Sequence, residues 1–204
     1  MLAVIDYGAG NLRSVVHALR ALGVWNMQVV QDGAGLRGAR RIILPGVGAF
    51  GAGMQQLGEK QFIDPLVAAI KSGVPCLGIC LGMQFLFERS DELGQHDGLG
   101  LLPGHVTRFP CDTTLKVPHM GWNALNRRRE SPLLAEVGSD SQVYFVHSYC
   151  CMPDCEEDVI ASTDYGIEFV SAVQRGALFG VQFHPEKSQQ VGLQMLRNFL
   201  EWAP

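Results

Sequence analysis

Cys80 stands between two glycines, in Gly78-Ile79-Cys80-Leu81-Gly82, directly after the apolar run Pro75 to Ile79. A G-x-Ser-x-G turn between a strand and a helix is the elbow that presents the nucleophile of many hydrolases, and the same physics serves a thiol. The strained turn holds the reactive atom outward, and the flanking glycines let neighbouring segments close in. Leu81 to Phe87 has the pattern of a helix starting at the sulfur. Unpaired N–H groups and the dipole at such a helix start favour a thiolate. The N–H of Leu81 would face a developing oxyanion. A free cysteine by itself is more often a small core hydrophobe, so Cys80 needs a base before it counts as a nucleophile.

Val181-Gln182-Phe183-His184-Pro185-Glu186 supplies one. Pro185 biases His184 towards extended backbone. In extended chain His184 and Glu186 project to one side, as a base and the carboxylate that orients it. Pro45-Gly46-Val47-Gly48 closes another apolar run. A loop in this position provides the second oxyanion donor of elbow hydrolases. Glycines on both sides of Val47 let its peptide adopt, or flip into, an otherwise costly conformation. The candidate oxyanion hole is therefore backbone from Val47, Gly48 and Leu81.

These residues must be positioned by strands. Leu2 to Ile5, Met27 to Val30, Arg41 to Leu44 and Pro75 to Ile79 read as short buried strands. Leu12 to Leu22 and Phe62 to Ile70 keep helical spacing, with stops at Gly23 and Ser72-Gly73. Such alternation predicts a parallel sheet with helices on both faces and the site at the strands' carboxyl ends. Asp6, Pro45-Gly46 and Cys80 should gather there. Six further strand candidates follow: Gly98 to Phe109, Val117 to Leu125, Val143 to Tyr149, Val159 to Thr163, Phe169 to Gln174 and Ala177 to Phe183. Their short turns predict antiparallel pairing. Gln189 to Trp202 closes as a helix, with Ser188 as its N-cap. Arg127 to Pro132 is expected as an exposed loop. The expected class is α/β: one three-layer flavodoxin-like domain over residues 1–204, mostly parallel, with added antiparallel strands in the second half.

A chain of 204 residues that is 47% hydrophobic and 18% charged folds as a globule. A net charge of −4 leaves no basic footprint for nucleic acid or anionic membrane. No apolar run reaches bilayer-spanning length, and Met1 to Asp6 lacks the pattern of a signal peptide. A cytoplasmic protein with free thiols in place of disulfides is the expectation.

The elbow, extended to Met83-Gln84, and the His184-Pro185-Glu186 segment together resemble the class I, triad-type glutamine amidotransferases. Five segments narrow the resemblance: Asp6-Tyr7-Gly8-Ala9-Gly10-Asn11-Leu12, Leu44 to Phe50, Pro118-His119-Met120-Gly121-Trp122-Asn123, Phe145-Val146-His147-Ser148-Tyr149 and His184 to Ser188. They look like the glutaminase subunits of imidazole glycerol phosphate synthases. Cys150 and Phe85 depart from that family's commoner residues, away from the catalytic set.

The resemblance implies hydrolysis of glutamine to glutamate and ammonia by Cys80, His184 and Glu186, without metal or organic cofactor. It implies a heterodimer with a (βα)8-barrel cyclase that consumes the ammonia in histidine biosynthesis, yielding imidazole glycerol phosphate and an aminoimidazole carboxamide ribotide. Gln84, His147, Ser148 and Tyr149 correspond to the glutamine-binding surface. Asn11, Trp122, Asn123 and Lys187 correspond to the partner-facing side. Other readings are a glutaminase subunit of a different class I amidotransferase and a Cys-dependent hydrolase of similar fold. A metal site at His147, Cys150, Cys151 and Cys155 fits no standard zinc spacing. Gly8-Ala9-Gly10 lacks the third glycine of a dinucleotide loop.

Overall fold

The structure is a computed structural model that describes residues 1–8, 10–110 and 115–203. Ala9, in the N-terminal glycine motif, and Pro204, at the end of the expected domain, lie outside those residues.

The first half runs β1 (Leu2–Ile5), α1 (Leu12–Ala21), β2 (Met27–Val30), β3 (Arg41–Gly46), α2 (Phe50–Glu59), α3 (Ile63–Lys71), β4 (Cys76–Cys80) and α4 (Leu81–Gln84). The second half is richer in strands: β5 (Phe87–Ser90), β6 (His96–Asp97), β7 (Leu102–Arg108), β8 (His119–Ala124), β9 (Asn126–Arg127), β10 (Gln142–His147), β11 (Tyr149–Pro153), β12 (Val159–Asp164), β13 (Glu168–Arg175) and β14 (Leu178–Val181), then α5 (Gln189–Glu201).

The order β2-β1-β3-β4-β14 is parallel throughout and is the flavodoxin-like arrangement. β13, β11 and β7 extend the sheet antiparallel beyond β14, so the expected change of character in the second half is present. β8 and β10 form a separate antiparallel pair. Two apolar cores sandwich the sheet. Val15 and Leu19 of α1 and Leu196 and Phe199 of α5 fill one; Phe50 and Leu57 of α2 and Leu66 of α3 fill the other. Cys150 and Cys151 follow the period of a strand, one into each core. They cannot face a common ion.

Several elements differ from their sequence-based expectations. β2 is the sheet edge, so Gln28 and Val29 are exposed and the strand is not buried. α2 carries three glycines, which mask its helical spacing, and was not foreseen. The helix after Cys80 is one turn, because Phe87 is drawn into β5 beside β7. Ser188 stands at the N-cap position of α5, but its side chain does not cap the helix. Its hydroxyl donates to the His184 carbonyl (2.7 Å) and accepts from the Tyr144 N–H (3.0 Å), pinning the His184 turn to β10.

Candidate active site

Parallel pairing sets the site. Gly46 on β3 lies opposite Cys80 on β4, and Val181 on β14 lies opposite Ile79. The loops after β3, β4 and β14 therefore emerge side by side at one edge, carrying Val47, Cys80 and His184. Cys80 has φ 54° and ψ −110°, outside the comfortable left-handed region. Such a conformation costs about 1–3 kcal/mol and persists only where its surroundings enforce it. The enforcement is local crowding. A β-carbon on Gly78 would stand 2.5 Å from the Gly82 carbonyl oxygen, and one on Gly82 would stand 1.9 Å from that of Leu44. With α4 only one turn long, a large helix dipole at the sulfur is not available; what remains is the backbone N–H set of that turn.

His184 is extended (φ −101°, ψ 95°), as Pro185 requires. Pro185–Lys187 then form a 3-10 turn in place of continued extended chain, and this turn brings Glu186 under the ring. Nδ1 lies 2.7 Å from Glu186 Oε1, both side chains fully buried. The carboxylate fixes the Nδ1–H tautomer, which leaves the Nε2 lone pair as the base. Nε2 is buried and completes no hydrogen bond among the described residues. Burial pulls the imidazole pKa down, but the nearby Cys80 and Glu186 outweigh it and raise it to about 10. Proximity to the thiol and charge complementarity thus pair His184 with Cys80.

Asn11, expected on the partner-facing side, turns inward. Its backbone is left-handed (φ 77°), and its amide donates to Glu186 Oε1 instead of capping α1. Asn123 is likewise engaged, lying 2.7 Å from His119 Nε2 and 3.3 Å from the Asp164 carbonyl. Trp122 and Lys187 are exposed. Met120 and Trp122 share a face of β8, 61% and 44% exposed. The Trp122 ring meets Tyr144 edge-on, and Lys187 Nζ lies 5.7 Å from that ring's centre.

A cavity of about 350 Å³ opens beside the thiol, lined by Val47, Gly48, Cys80, Leu81, Gln84, Glu92, His147, Ser148 and Tyr149 among others. All four expected substrate residues are therefore in one place. A roomier hollow of about 760 Å³, between Gly33–Leu36 and the start of α3, contains no nucleophile and lies away from this chemistry. Gln84 is buried; its amide donates to Gln182 Oε1 (3.1 Å) and the Tyr149 carbonyl (3.3 Å). Gln182 in turn donates towards Cys80 Sγ at 3.7 Å. Gln182 and Glu92 were not singled out from sequence. A glutamine inside an apolar run of sequence is a signal for the first. Glu92, one acidic residue among several after β5, carried none.

Both nitrogens of His147 are used, by the Tyr149 carbonyl (2.8 Å) and His119 Nδ1 (3.1 Å). Burial foremost lowers its pKa to about 3, so it is neutral in the fold. The unfolded chain takes up a proton here as pH falls through about 6.5, while the folded chain refuses it. Stability contributed by neutral His147 is therefore complete above that value and lost on acidification towards about 3. The expected slope is up to about 1.4 kcal/mol per pH unit within this window. Urea denaturation of wild type and His147→Gln between about pH 7 and pH 5 should show a shallower loss in the variant.

An elbow thiol, a carboxylate-held imidazole and a glycine-flanked loop on a parallel three-layer sheet define the class I glutamine amidotransferases. The family model for glutamine amidotransferase class-I matches residues 3–202. Solved structures agree in fold: a glutamine amidotransferase superposes with a TM-score of 0.76 at 21% identity, covering 98% of this chain and 97% of that one. A PurLQS structure from Thermotoga maritima gives 0.75 at 19%, covering 98% and 96%. Curated relatives are much nearer. The imidazole glycerol phosphate synthase subunit HisH of Syntrophotalea carbinolica is 48% identical, covering 98% of both chains. HisH of Salinibacter ruber is 48% identical (98% and 93% covered), and that of Desulfitobacterium hafniense (strain Y51) is 49% identical (100% and 95%). The chain belongs to the class I glutamine amidotransferases and, within them, to the HisH family.

Proposed function

We propose that residues 1–204 act as one glutaminase domain that supplies ammonia to a cyclase partner. The carrying observation is the buried Glu186–His184 pair beside the strained Cys80. His184 Nε2 takes the thiol proton, and Sγ attacks the side-chain carbonyl carbon of glutamine. The oxyanion is held by the N–H of Leu81 and of the Val47 loop. His184 returns the proton to the leaving ammonia, and water activated by the same imidazole releases glutamate from the thioester. Family membership supports the further reading: a heterodimer with a (βα)8-barrel cyclase, acting in the cytoplasm in histidine biosynthesis. The Met120, Trp122, Tyr144 and Lys187 patch suits its interface, since exposed aromatic residues are frequent anchors.

Glu92 is the only carboxylate among the described residues of the cavity. One oxygen accepts from the Phe50 N–H (2.6 Å), leaving the other for the substrate's α-ammonium. In a glutaminase assay with the cyclase partner and its nucleotide, Glu92→Gln should raise KM for glutamine by roughly 10- to 100-fold, with a smaller change in kcat. The same assay tests the whole proposal. Ammonia release should rise sharply when the partner is added, and equal turnover with and without it would overturn partner activation.

A further inference from the structure

Tyr7 is 1% exposed, and its buried hydroxyl completes no hydrogen bond of good geometry among the described residues. Leaving such a group unpaired is costly, so an orphan hydroxyl in a native core calls for an explanation. Its ring packs edge-on against Phe85, with centroids 5.8 Å apart, so the side chain is firmly placed. The hydroxyl ends against the oxyanion loop. A β-carbon on Gly46 would stand 2.8 Å from Tyr7 Oη, 2.7 Å from the Gly82 nitrogen and 2.8 Å from Leu81 Cβ. Tyr7, Gly46 and the elbow thus meet at one point.

The peptide next to that hydroxyl is the one that must deliver an N–H to the cavity. A trans peptide carries its C=O and N–H on opposite sides, so turning the Gly46–Val47 unit exchanges them. Gly46 on one side and Gly48, at φ 101°, on the other give it that freedom. In the present conformation the Val47 N–H lies towards Tyr7. Burial and, after it, the Cys80 charge push the phenol's pKa up, and the nearby Val47 N–H pulls the other way. Val47 lines the cavity and Tyr7 does not, so an N–H drawn to Tyr7 is drawn away from the substrate.

We infer that Tyr7 is a positioning residue for the oxyanion hole: when the Gly46–Val47 peptide turns, the Tyr7 hydroxyl donates to the Gly46 carbonyl and holds the Val47 N–H in the cavity. The inference rests on Val47 supplying the second oxyanion donor. A phenol suits the task because it accepts as well as donates and so remains compatible with both orientations. Removing the hydroxyl removes the turned peptide's partner and leaves glutamine's own contacts intact.

The test is Tyr7→Phe in the complex with the cyclase partner and its nucleotide. The kcat for ammonia release should fall by about tenfold, with KM for glutamine within about twofold. Alkylation of Cys80 by iodoacetamide, a direct displacement that forms no oxyanion, should keep its wild-type rate. The melting temperature should not fall, because the ring contact with Phe85 survives and the hydroxyl removed completes no hydrogen bond in the resting conformation. An unchanged kcat, with or without a change in KM, would overturn the inference. So would a kcat loss accompanied by slowed alkylation and a lowered melting temperature, which marks a packing role. A wild-type complex that releases no ammonia from glutamine would overturn the glutaminase proposal itself, and the role of Tyr7 with it.

Discussion

Cys80→Ala is expected to stop ammonia release from glutamine, with a loss of roughly 10⁴-fold or more, because no other group among the described residues of the cavity can form the thioester. The substitution is mild for the fold. Alanine removes one sulfur and keeps the β-carbon that the elbow already accommodates at φ 54°. Glutamine should still bind, since Gln84, Glu92 and Ser148 are untouched. The informative measurement couples two assays of the complex. With glutamine as nitrogen source, synthesis by the partner should cease; with ammonium salt, it should continue at the wild-type level. Retained glutamine-dependent synthesis in the variant would refute the nucleophile.

Gly82→Ala should be the most disruptive small change near the site. The added carbon would fall 1.9 Å from the Leu44 carbonyl oxygen. That oxygen belongs to β3, which is clamped between β1 and β4 and cannot yield. The elbow must therefore move. A cost on the order of 3 kcal/mol or more is expected, a large share of a typical domain's stability of about 5–15 kcal/mol. Urea unfolding should show a lower midpoint. Gly58→Ala makes a suitable control: this residue is inside α2, and its β-carbon would be no closer than 3.7 Å to any side chain. The control should be neutral or slightly stabilising, by about 0.5–1 kcal/mol.

The parallel core and the proposed grouping of Cys80, His184 and Glu186 were legible in the sequence because short-range rules govern both. Apolar runs bounded by glycine mark β1, β3 and β4, and a glycine-flanked cysteine after one of them marks the elbow. What escaped depends on long-range packing. Ordinary propensity rules cannot show that Phe87 leaves a helix to pair with Leu102, nor that α2 folds despite its glycines. The contact of Asn11 with Glu186 is not legible from sequence, because the two lie 175 positions apart. Glu92 has the sequence context of an ordinary surface acid, and only the fold brings it to the cavity that Cys80 lines. The Tyr7 hydroxyl was invisible for the opposite reason: a buried tyrosine is unremarkable until its missing partner is noticed.

The central place of β4 between β3 and β14 bears on how the chain is made. β3 precedes β4, but β14 and His184 follow Cys80 by roughly a hundred residues. At typical elongation rates a ribosome needs between about 5 and 20 seconds to cover that stretch. Throughout it the emerging polypeptide carries an open sheet edge at its middle strand and a thiol without the His184 imidazole to take its proton. The nascent protein is chemically silent until almost the last turn of synthesis, and it is most prone to wrong pairing during the same interval. Switching on the chemistry and closing that edge are one event, completed when β14 slides into place.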